Sequence, residues 1–493
     1  MTAFVLVSGP FTGGWVWQEV VERLRAAGCA AYGASLAGTE GSGGGREVDL
    51  EAHIGDVVRV IDRIGADEEV VLVGHDYGIH PVLGAADRRP ERVARVVYLD
   101  AGMPGDGDAA LAAVPDAAAV VASAVDGLVP APRGEGWLRW GSTAGLGEAE
   151  LARLDRLAVP QPLRTLTQPL RLTGDPYARP TTGVLCTANG SGIAMVELLV
   201  ATGPARYGVL ADPRVGFFEL DTGHWPMLSA PGPLADVLLR AAADEGYRLS
   251  VAESGRPGHL GEFPLDVPER PRERRGRVDL HLPEASGPRP AVLFVHGGPV
   301  PEEQRPTPRD TPVFTGYGRY AASLGVVGAT VDHRLHGLTD FPRAAADVAG
   351  AVELLRADPR VDGERIALWF FSGGGLLSAD WLAGPPSWLR CVAMTYPVLA
   401  PPPDWRAVDA RFRPARLVGA ASPPVVLTRV GRENAVFAAT VEEFVTAAGK
   451  AGAELEIVDV PDAGHGFEML DPTDGTRAAV ARAMRSVVAR LEA

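Results

Sequence analysis

The stretch Ala367-Leu-Trp-Phe-Phe-Ser-Gly-Gly-Gly375 joins an apolar run to a serine and three glycines. The apolar part, Arg365–Trp369, is typical of a buried parallel strand. A serine followed by small residues is typical of a sharp strand-to-helix turn, because strand and helix pass close together there. Such a turn projects the serine hydroxyl above the sheet. The stretch therefore predicts a nucleophile on an α/β scaffold.

Other apolar runs of strand length define a block over residues 276–493. The runs are Ala291–Val295, Pro424–Arg429 and Glu454–Val460. Helical patterns separate them, and this alternation is typical of a mostly parallel sheet covered by helices. The functional side chains of such a domain lie at the carboxyl ends of its strands.

Three side chains of this block follow one another in the chain order nucleophile, acid, histidine. Ser372 is the expected nucleophile, His465 the base, and Glu433 the acid that orients the base. The backbone N–H groups of Gly298 and Gly373 are expected to bind the developing oxyanion. The alternative acids are Asp404, Asp409 and Asp462.

These motifs resemble the dienelactone hydrolase and acetyl-esterase branch of the α/β-hydrolase superfamily. The resemblance also rests on Val292-Leu-Phe-Val-His-Gly-Gly298 and Asp462-Ala-Gly-His-Gly-Phe467. It implies acyl transfer by Ser372 with a Ser-Glu-His triad. Two positions depart from the family's pattern. Glu433 stands where aspartate is commoner, and Phe370 stands where glycine or alanine is usual and is expected to reshape the turn.

Residues 1–246 repeat the same order of signals. The strand-like runs precede a glycine turn, an elbow and a histidine, in the segments Phe4–Gly9, Val70–Gly78 and Phe218–His224. His224 follows the elbow by 148 residues, against 93 in the other block. The longer gap predicts a helical cap over about 103–180.

The junction between the blocks is rich in charge and turn residues. Residues 247–275 are predicted to be a linker or an edge hairpin of the second sheet. Since each block has its own strand and elbow signals, a chain starting near Val251 is expected to fold alone.

The first block resembles the hydroxynitrile lyase and plant methylesterase-like group of the same superfamily. The matching stretches are Phe4–Trp15, Val70–Gly78, Leu166–Thr173 and Thr222–Met227. The resemblance implies a Ser-His-Asp esterase or lyase, and His224 keeps its place. The departures are Asp76 for the nucleophile serine, Ser8 for the turn histidine, Pro10 for an oxyanion donor and Asn189 for the acid. Ordinary ester hydrolysis in this block is therefore not expected.

Three interpretations of Asp76 and His224 remain open from the sequence. In the first, Asp76 is a carboxylate nucleophile, as in epoxide hydrolases and haloalkane dehalogenases. In the second, the two side chains form an acid–base pair for isomerisation, elimination or cyclisation. In the third, the block binds a ligand or supports its partner without catalysis. His75 and His80 are expected to have packing roles.

Composition limits the partners. The 62 acidic against 47 basic residues give a net charge of −15, which disfavours nucleic acid. Three dispersed cysteines disfavour a disulfide framework. No secretory signal and no apolar run of about 18 residues is evident, so a cytoplasmic protein without a membrane partner is expected. His333 and His336 lack an acidic or cysteine partner, so neither a metal nor another cofactor is expected.

The sequence thus predicts two tandem α/β-hydrolase folds and a serine hydrolase acting on an ester, lactone or related acyl group. The alternative is a cyclase, epimerase, lyase or epoxide-hydrolase-like enzyme that uses Asp76 and His224. A third interpretation is a ligand-binding pseudoenzyme. The fused, degenerate first block suggests a small-molecule substrate from specialised metabolism.

Overall fold

The computed structural model describes residues 2–39, 47–114, 117–202, 205–249, 258–402, 405 and 408–493. Val251, the segment Glu253–Pro257 and the alternative acid Asp404 lie outside the described residues. The chain divides into two compact units. They are Met1–Val196 with Val209–Val251, and Glu197–Gly208 with Ala252–Ala493.

The first unit is built on a parallel sheet of six strands in the order β2-β1-β3-β4-β7-β8. The strands of the unit are β1 Thr2–Val7, β2 Ala30–Ala34, β3 Glu69–His75, β4 Val93–Leu99, β5 Leu128–Val129, β6 Gln161–Pro162, β7 Thr181–Cys186 and β8 Val215–Leu220. Its helices are α1 Gln18–Ala26, α2 Leu50–Arg63, α3 Ile79–Arg88, α4 Ala117–Ser123, α5 Glu148–Leu157, α6 Leu163–Thr167, α8 Pro226–Ser229 and α9 Pro231–Ala242. Helix α7, Ile193–Thr202, begins in this unit, and its residues from Glu197 onward are assigned to the second unit.

The sheet of the first unit forms around its central strands, β1 and β3, which are apolar runs buried on both faces. In β1, Ala3 to Val7 are all fully buried, which is the pattern of a parallel strand between helix layers. Helix α2 begins where Asp49 accepts a hydrogen bond from the Ala52 N–H.

The predicted helical cap is present between β4 and β7. Helices α4, α5 and α6 and the short antiparallel pair β5–β6 lie in this insertion.

The second unit is built on an eight-stranded sheet in the order β16-β15-β14-β13-β11-β12-β10-β9. Its strands are β9 Arg272–Arg275, β10 Val278–His281, β11 Arg289–Val295, β12 Val327–Val331, β13 Val361–Phe371, β14 Leu389–Thr395, β15 Val425–Arg432 and β16 Leu455–Gly464. Its helices are α10 Pro312–Ser323, α11 Phe341–Ala357, α12 Ala379–Leu382, α13 Ala435–Ala451, α14 Phe467–Leu470 and α15 Asp474–Glu492.

The strands from β16 to β12 pair in parallel, and β9 and β10 form an antiparallel hairpin at one edge. A core of large aromatic side chains fills one face of this sheet, among them Phe294, Tyr317, Trp369 and Phe371. The prediction of two α/β folds with mostly parallel sheets is thus confirmed. Within the described residues, no helix has both the length and the apolar character to cross a membrane.

Candidate active sites

Ser372 lies at the sharp turn between β13 and the helical turn that follows it. Its φ of +50° is in the left-handed region, which side-chain-bearing residues rarely adopt. The turn is crowded: a Cβ added at Gly374 would lie 2.4 Å from the His296 carbonyl oxygen. The glycines after the serine therefore let the helical turn approach the end of β11, as the motif predicts.

Phe370 does not reshape this turn, contrary to the expectation from its size. The residue is fully buried in β13 and pairs with Val295 and Met394 on the neighbouring strands. Side chains alternate along a strand, so its ring lies on the opposite face from Trp369 and Phe371. The sheet absorbs the ring, and Ser372 keeps its left-handed conformation.

The predicted serine, histidine and glutamate meet at the carboxyl ends of β13, β15 and β16. The Ser372 hydroxyl lies 2.7 Å from Nε2 of His465. Nδ1 of His465 donates to Oε2 of Glu433 at 2.8 Å. Both partners are shielded, because the His465 side chain is 8% exposed and that of Glu433 5%. The hydroxyl thus has a base within hydrogen-bond reach, and the base has an orienting carboxylate.

The start of helix α13 fixes Glu433. Asn434 caps this helix by accepting hydrogen bonds from the Val436 and Phe437 amides. The Asn434 amide donates to Oε1 of Glu433 at 2.8 Å. One carboxylate oxygen is therefore held by the backbone, and the other faces His465.

The two predicted oxyanion donors lie next to each other. A Cβ added at Gly373 would lie 2.1 Å from the Gly298 carbonyl oxygen. A Cβ at Gly297 would lie 2.8 Å from Cβ of Ser372. The glycine turn after β11 therefore packs directly against the elbow.

Aromatic rings and a buried acid surround His465. The Tyr396 and Phe437 rings lie 4.6 and 5.5 Å from the imidazole. Glu468, three residues further along the chain, is fully buried, and its Oε1 accepts a hydrogen bond from the Tyr317 hydroxyl at 2.7 Å. Burial raises the pKa of Glu468 above its usual range despite this hydrogen bond.

We expect Glu468 to make the stability of the protein pH-dependent. A carboxyl whose pKa is raised by folding stabilises fully below its unfolded pKa of about 4.3, and this contribution is lost as the pH rises through the folded-state pKa. Glu468→Gln keeps the shape without the charge, so its urea midpoint should fall less than the wild-type midpoint between pH 4 and pH 8. A tenfold change in the acid dissociation constant on folding corresponds to about 1.4 kcal/mol in the free energy of unfolding. The matched control is the exposed Glu302→Gln, and equal pH slopes for wild type and Glu468→Gln would contradict the expectation.

In the first unit, Asp76 occupies the elbow between β3 and α3. Its φ is +49°, like that of Ser372. Oδ2 of Asp76 lies 3.3 Å from Nε2 of His224. The Asp76 side chain is 33% exposed, whereas that of His224 is 5% exposed. The carboxylate therefore faces both solvent and the histidine.

His224 has an orienting carboxylate, and the expectation that Asn189 leaves it without one is wrong. Nδ1 of His224 donates to Oδ2 of Asp100 at 2.7 Å. The Asp100 side chain is 1% exposed, and the amide of Cys186 and Nδ2 of Asn189 donate to its oxygens at 3.3 and 2.7 Å. Asp100 is thus a fixed buried acceptor that sequence reasoning missed.

A signal for Asp100 was present in the sequence. It directly follows the strand-like run Arg95–Leu99, the next strand after the elbow strand, and strand ends of a parallel sheet share one edge. In the second unit the same place, directly after β14, is held by Tyr396. Both residues have positive φ, +43° for Asp100 and +36° for Tyr396. The two units therefore place their acids after different strands.

His75 has the structural role expected of it. Its Nδ1 accepts from the Gly9 amide at 3.2 Å, and its Nε2 donates to the His224 carbonyl at 2.7 Å. Burial is the main reason that the pKa of His75 falls to about 4, so the ring is neutral. It joins the glycine turn to the histidine loop.

Backbone N–H groups of the turn after β1 are hydrogen-bonded to side chains of the same unit. The Phe11 amide donates to Oε1 of the buried Gln161 at 3.0 Å. Pro10 has no N–H, and the Gly9 amide is bound to His75. The turn therefore directs none of these three positions toward an oxyanion at Asp76.

The remaining histidines named from the sequence are buried or bound to the backbone. His80 is buried and its ring stacks on Tyr77 at 6.0 Å, as expected for packing. His333 Nε2 donates to the His296 carbonyl at 2.9 Å, and His336 Nδ1 to the Val300 carbonyl at 2.8 Å. The described part of the chain holds no group of three or more potential metal ligands.

Comparison with known proteins agrees with this architecture. Residues 4–237 match the model of the alpha/beta hydrolase family, and residues 278–384 match the BD-FAE model. The carbendazim hydrolyzing esterase of a Nocardioides strain is 32% identical over 260 residues, which are 48% of this chain and 98% of that protein. Methyl jasmonate esterase 1 of Vitis vinifera is 35% identical over 106 residues, 21% of this chain and 40% of its own length.

Among solved structures, an extracellular alpha/beta-hydrolase from a Paenibacillus species aligns with a TM-score of 0.41 and 22% identity. The alignment covers 49% of this chain and 99% of that one.

The chain belongs to the α/β-hydrolase family. It is an enzyme of the carboxylic ester hydrolase type.

Proposed function

We propose that this enzyme hydrolyses an ester, lactone or related acyl group through an acyl-enzyme at Ser372. The observation that carries the proposal is the continuous hydrogen-bonded relay in the second unit. Ser372 Oγ lies 2.7 Å from Nε2 of His465, and Nδ1 of His465 lies 2.8 Å from Glu433. This is the arrangement of nucleophile, base and orienting acid that acyl transfer requires.

The reaction begins with attack of Ser372 Oγ on the substrate carbonyl carbon. Nε2 of His465 takes the hydroxyl proton, and the Gly298 and Gly373 amides donate to the oxyanion of the tetrahedral intermediate. The protonated imidazole then gives its proton to the leaving alcohol oxygen, and the acyl group remains on Ser372. Water, deprotonated by His465, attacks the acyl-enzyme and releases the acid.

Glu433 stabilises the imidazolium that forms in each step. It is shielded from water, so its attraction to a positive charge 2.8 Å away is weakly screened. It also fixes which imidazole nitrogen carries the proton in the resting enzyme, so that Nε2 is free to accept from Ser372.

The substrate we propose is a small neutral ester of the kind found in specialised metabolism, bound without a cofactor. The match to the carbendazim hydrolyzing esterase over nearly its full length supports a small-molecule substrate.

Labelling with a fluorophosphonate probe tests the nucleophile directly. The probe phosphonylates a serine only when a base has activated it, so we expect one label per chain, on the peptide that contains Ser372. Ser372→Ala should lose the label completely, whereas Ser323→Ala, in which a helical serine bonded to the Tyr320 carbonyl is removed, should keep it. Persistent labelling of Ser372→Ala would show that the nucleophile is another residue.

A further inference from the structure

We propose that the first unit holds a second active site, in which Asp76 is a general base and His224 is the proton donor paired with it. This site moves protons on a neutral substrate and does not hydrolyse esters. The proposal is independent of the reaction at Ser372. It rests on the contacts of three side chains, on their exposure and on the turn that faces them.

The contacts place one imidazole between two carboxylates. Asp76 lies 3.3 Å from Nε2 of His224 and Asp100 lies 2.7 Å from Nδ1. Both ring nitrogens therefore face an acceptor, and they can donate at the same time only if each of them carries a proton. In the second unit, by contrast, His465 faces one carboxylate and one hydroxyl.

The electrostatics favour an imidazolium at rest. Burial opposes the charge on His224, but the hydrogen bonds with Asp100 and Asp76 outweigh it and raise the pKa of His224 to about 10. Burial opposes the charge on Asp76 as well, but the hydrogen bond from His224 and the charge of the His224 ring act together against it and lower the pKa of the Asp76 carboxyl. His75, whose ring lies 4.5 Å away, adds no charge because it is neutral. At neutral pH the pair is thus a charged acid beside a charged base.

The exposed fraction of each side chain indicates its role in the reaction. Asp76 is the one member of the three with substantial exposure, 33% against 5% for His224 and 1% for Asp100. A substrate therefore meets the Asp76 carboxylate first, with the Nε2–H of His224 beside it. Asp100 touches only the far side of the ring, so it is a positioning residue.

The glycine turn argues against carbonyl addition at this elbow. The Gly9 amide donates to His75 and the Phe11 amide donates to Gln161. Pro10 has no N–H to donate. Loss of one oxyanion donor alone costs about 10²- to 10³-fold in rate. The lack of these donors would slow ester hydrolysis, and it would equally slow the hydrolysis of an alkyl ester formed on Asp76. Proton transfer needs no such donors.

The reaction that fits is abstraction of an acidic C–H. Asp76 takes the proton, and the C–H electron pair moves toward an electronegative atom of the substrate. That atom, a carbonyl oxygen or a departing oxygen, receives the proton of His224 Nε2. No oxidant, reductant or water is consumed. An aromatic ring lies beside the acid, since the Trp225 ring is 5.0 Å from the His224 ring, so a neutral aromatic compound is the proposed substrate class.

The test uses 5-nitrobenzisoxazole as a probe in the Ser372→Ala protein. A base removes its C–H, the N–O bond breaks, a nitrile forms and the phenolate oxygen leaves, giving a coloured product without any ester chemistry. The elimination rate of the Ser372→Ala protein is the reference, because its ester-hydrolysing site is disabled. Adding Asp76→Asn should lower it at least 100-fold, whereas the exposed Asp67→Asn should leave it unchanged. Equal rates for the Asp76 and Asp67 variants overturn the proposal.

A rescue experiment separates orientation by Asp100 from a merely structural role. Asp100→Asn should slow the elimination about 10-fold or more. Nδ2 of Asn189 already lies 3.3 Å from Nδ1 of His224, so adding Asn189→Asp should return most of the rate. In ¹⁵N-histidine NMR spectra at pH 7, the signal lost in His224→Gln should be that of an imidazolium, and a neutral ring there contradicts the proposal.

A second probe detects the competing nucleophilic role. The Ser372→Ala protein is incubated with 1,2-epoxy-3-(4-nitrophenoxy)propane, and its intact mass is measured. We expect no adduct on Asp76. An adduct mapped to the Asp76 peptide would make Asp76 a carboxylate nucleophile and would overturn its assignment as a general base.

Discussion

Ser372→Ala will abolish the hydrolysis of p-nitrophenyl acetate, with kcat/KM falling by about 10⁴- to 10⁶-fold. The reason is that the hydroxyl, His465 and Glu433 act as one unit, and the methyl group of alanine offers neither a nucleophile nor a proton to the base. The measurement is the steady-state rate of nitrophenolate release by the full chain. His465→Ala should reach the same residual rate, because removing either member disables the same step.

The first unit supplies the control for this prediction. Asp76→Asn alters the other elbow and should leave the acetate rate within about twofold of wild type, because the Gly9 and Phe11 amides of the facing turn are bonded to side chains and do not support ester hydrolysis there. If Ser372→Ala retains the activity and Asp76→Asn or His224→Ala removes it, ester hydrolysis belongs to the first unit instead.

Glu433→Gln is expected to lower kcat by about 10³- to 10⁴-fold with little change in KM. The amide has nearly the shape of the carboxylate, but it presents either an uncharged oxygen or an N–H to Nδ1 of His465. The imidazole then loses the fixed tautomer and the negative charge that stabilises its protonated form. Because substrate contacts are left in place, the loss should fall on kcat, and Glu433→Asp should restore part of it.

The neighbouring acids provide matched controls for Glu433. Asp462 is 95% exposed and lies 3.9 Å from Arg432, and Asp409 is also exposed. Replacement of either by asparagine should change kcat by less than about twofold. A large loss in Asp462→Asn together with an active Glu433→Gln would mean that the acid was assigned to the wrong residue.

The Ser372 site of the second unit could largely be predicted from the sequence, because each of its parts follows a pattern in a short segment. The glycines after Ser372 report the close approach of helix and strand, and Glu433 and His465 each follow an apolar run. The spacing left Asp409 and Asp462 as alternatives to Glu433, since Asp462 also follows an apolar run and Asp409 lies between two such runs. The choice depends on which strand end faces the histidine and on the helix cap at Asn434 that holds the carboxylate.

The Asp76 site of the first unit could be predicted only in part. The sequence indicated Asp76 and His224, and the loss of an acid at Asn189 suggested an incomplete site. The structure places Asp100 against His224 across 124 residues of chain. An acid can reach the histidine from either of two adjacent strand ends, and no local pattern shows which one is used.

The sequence by itself determined the two parallel sheets, the two elbows and the cap, because strand and helix periodicity and the steric need for glycine at a tight turn are properties of short segments. Tertiary structure alone decided which acid serves which histidine, and whether the turn amides face a substrate or a side chain. Those outcomes depend on strand order and on contacts between residues such as Phe11 and Gln161, which are 150 positions apart. Such contacts arise only when the sheet brings distant strand ends to one edge.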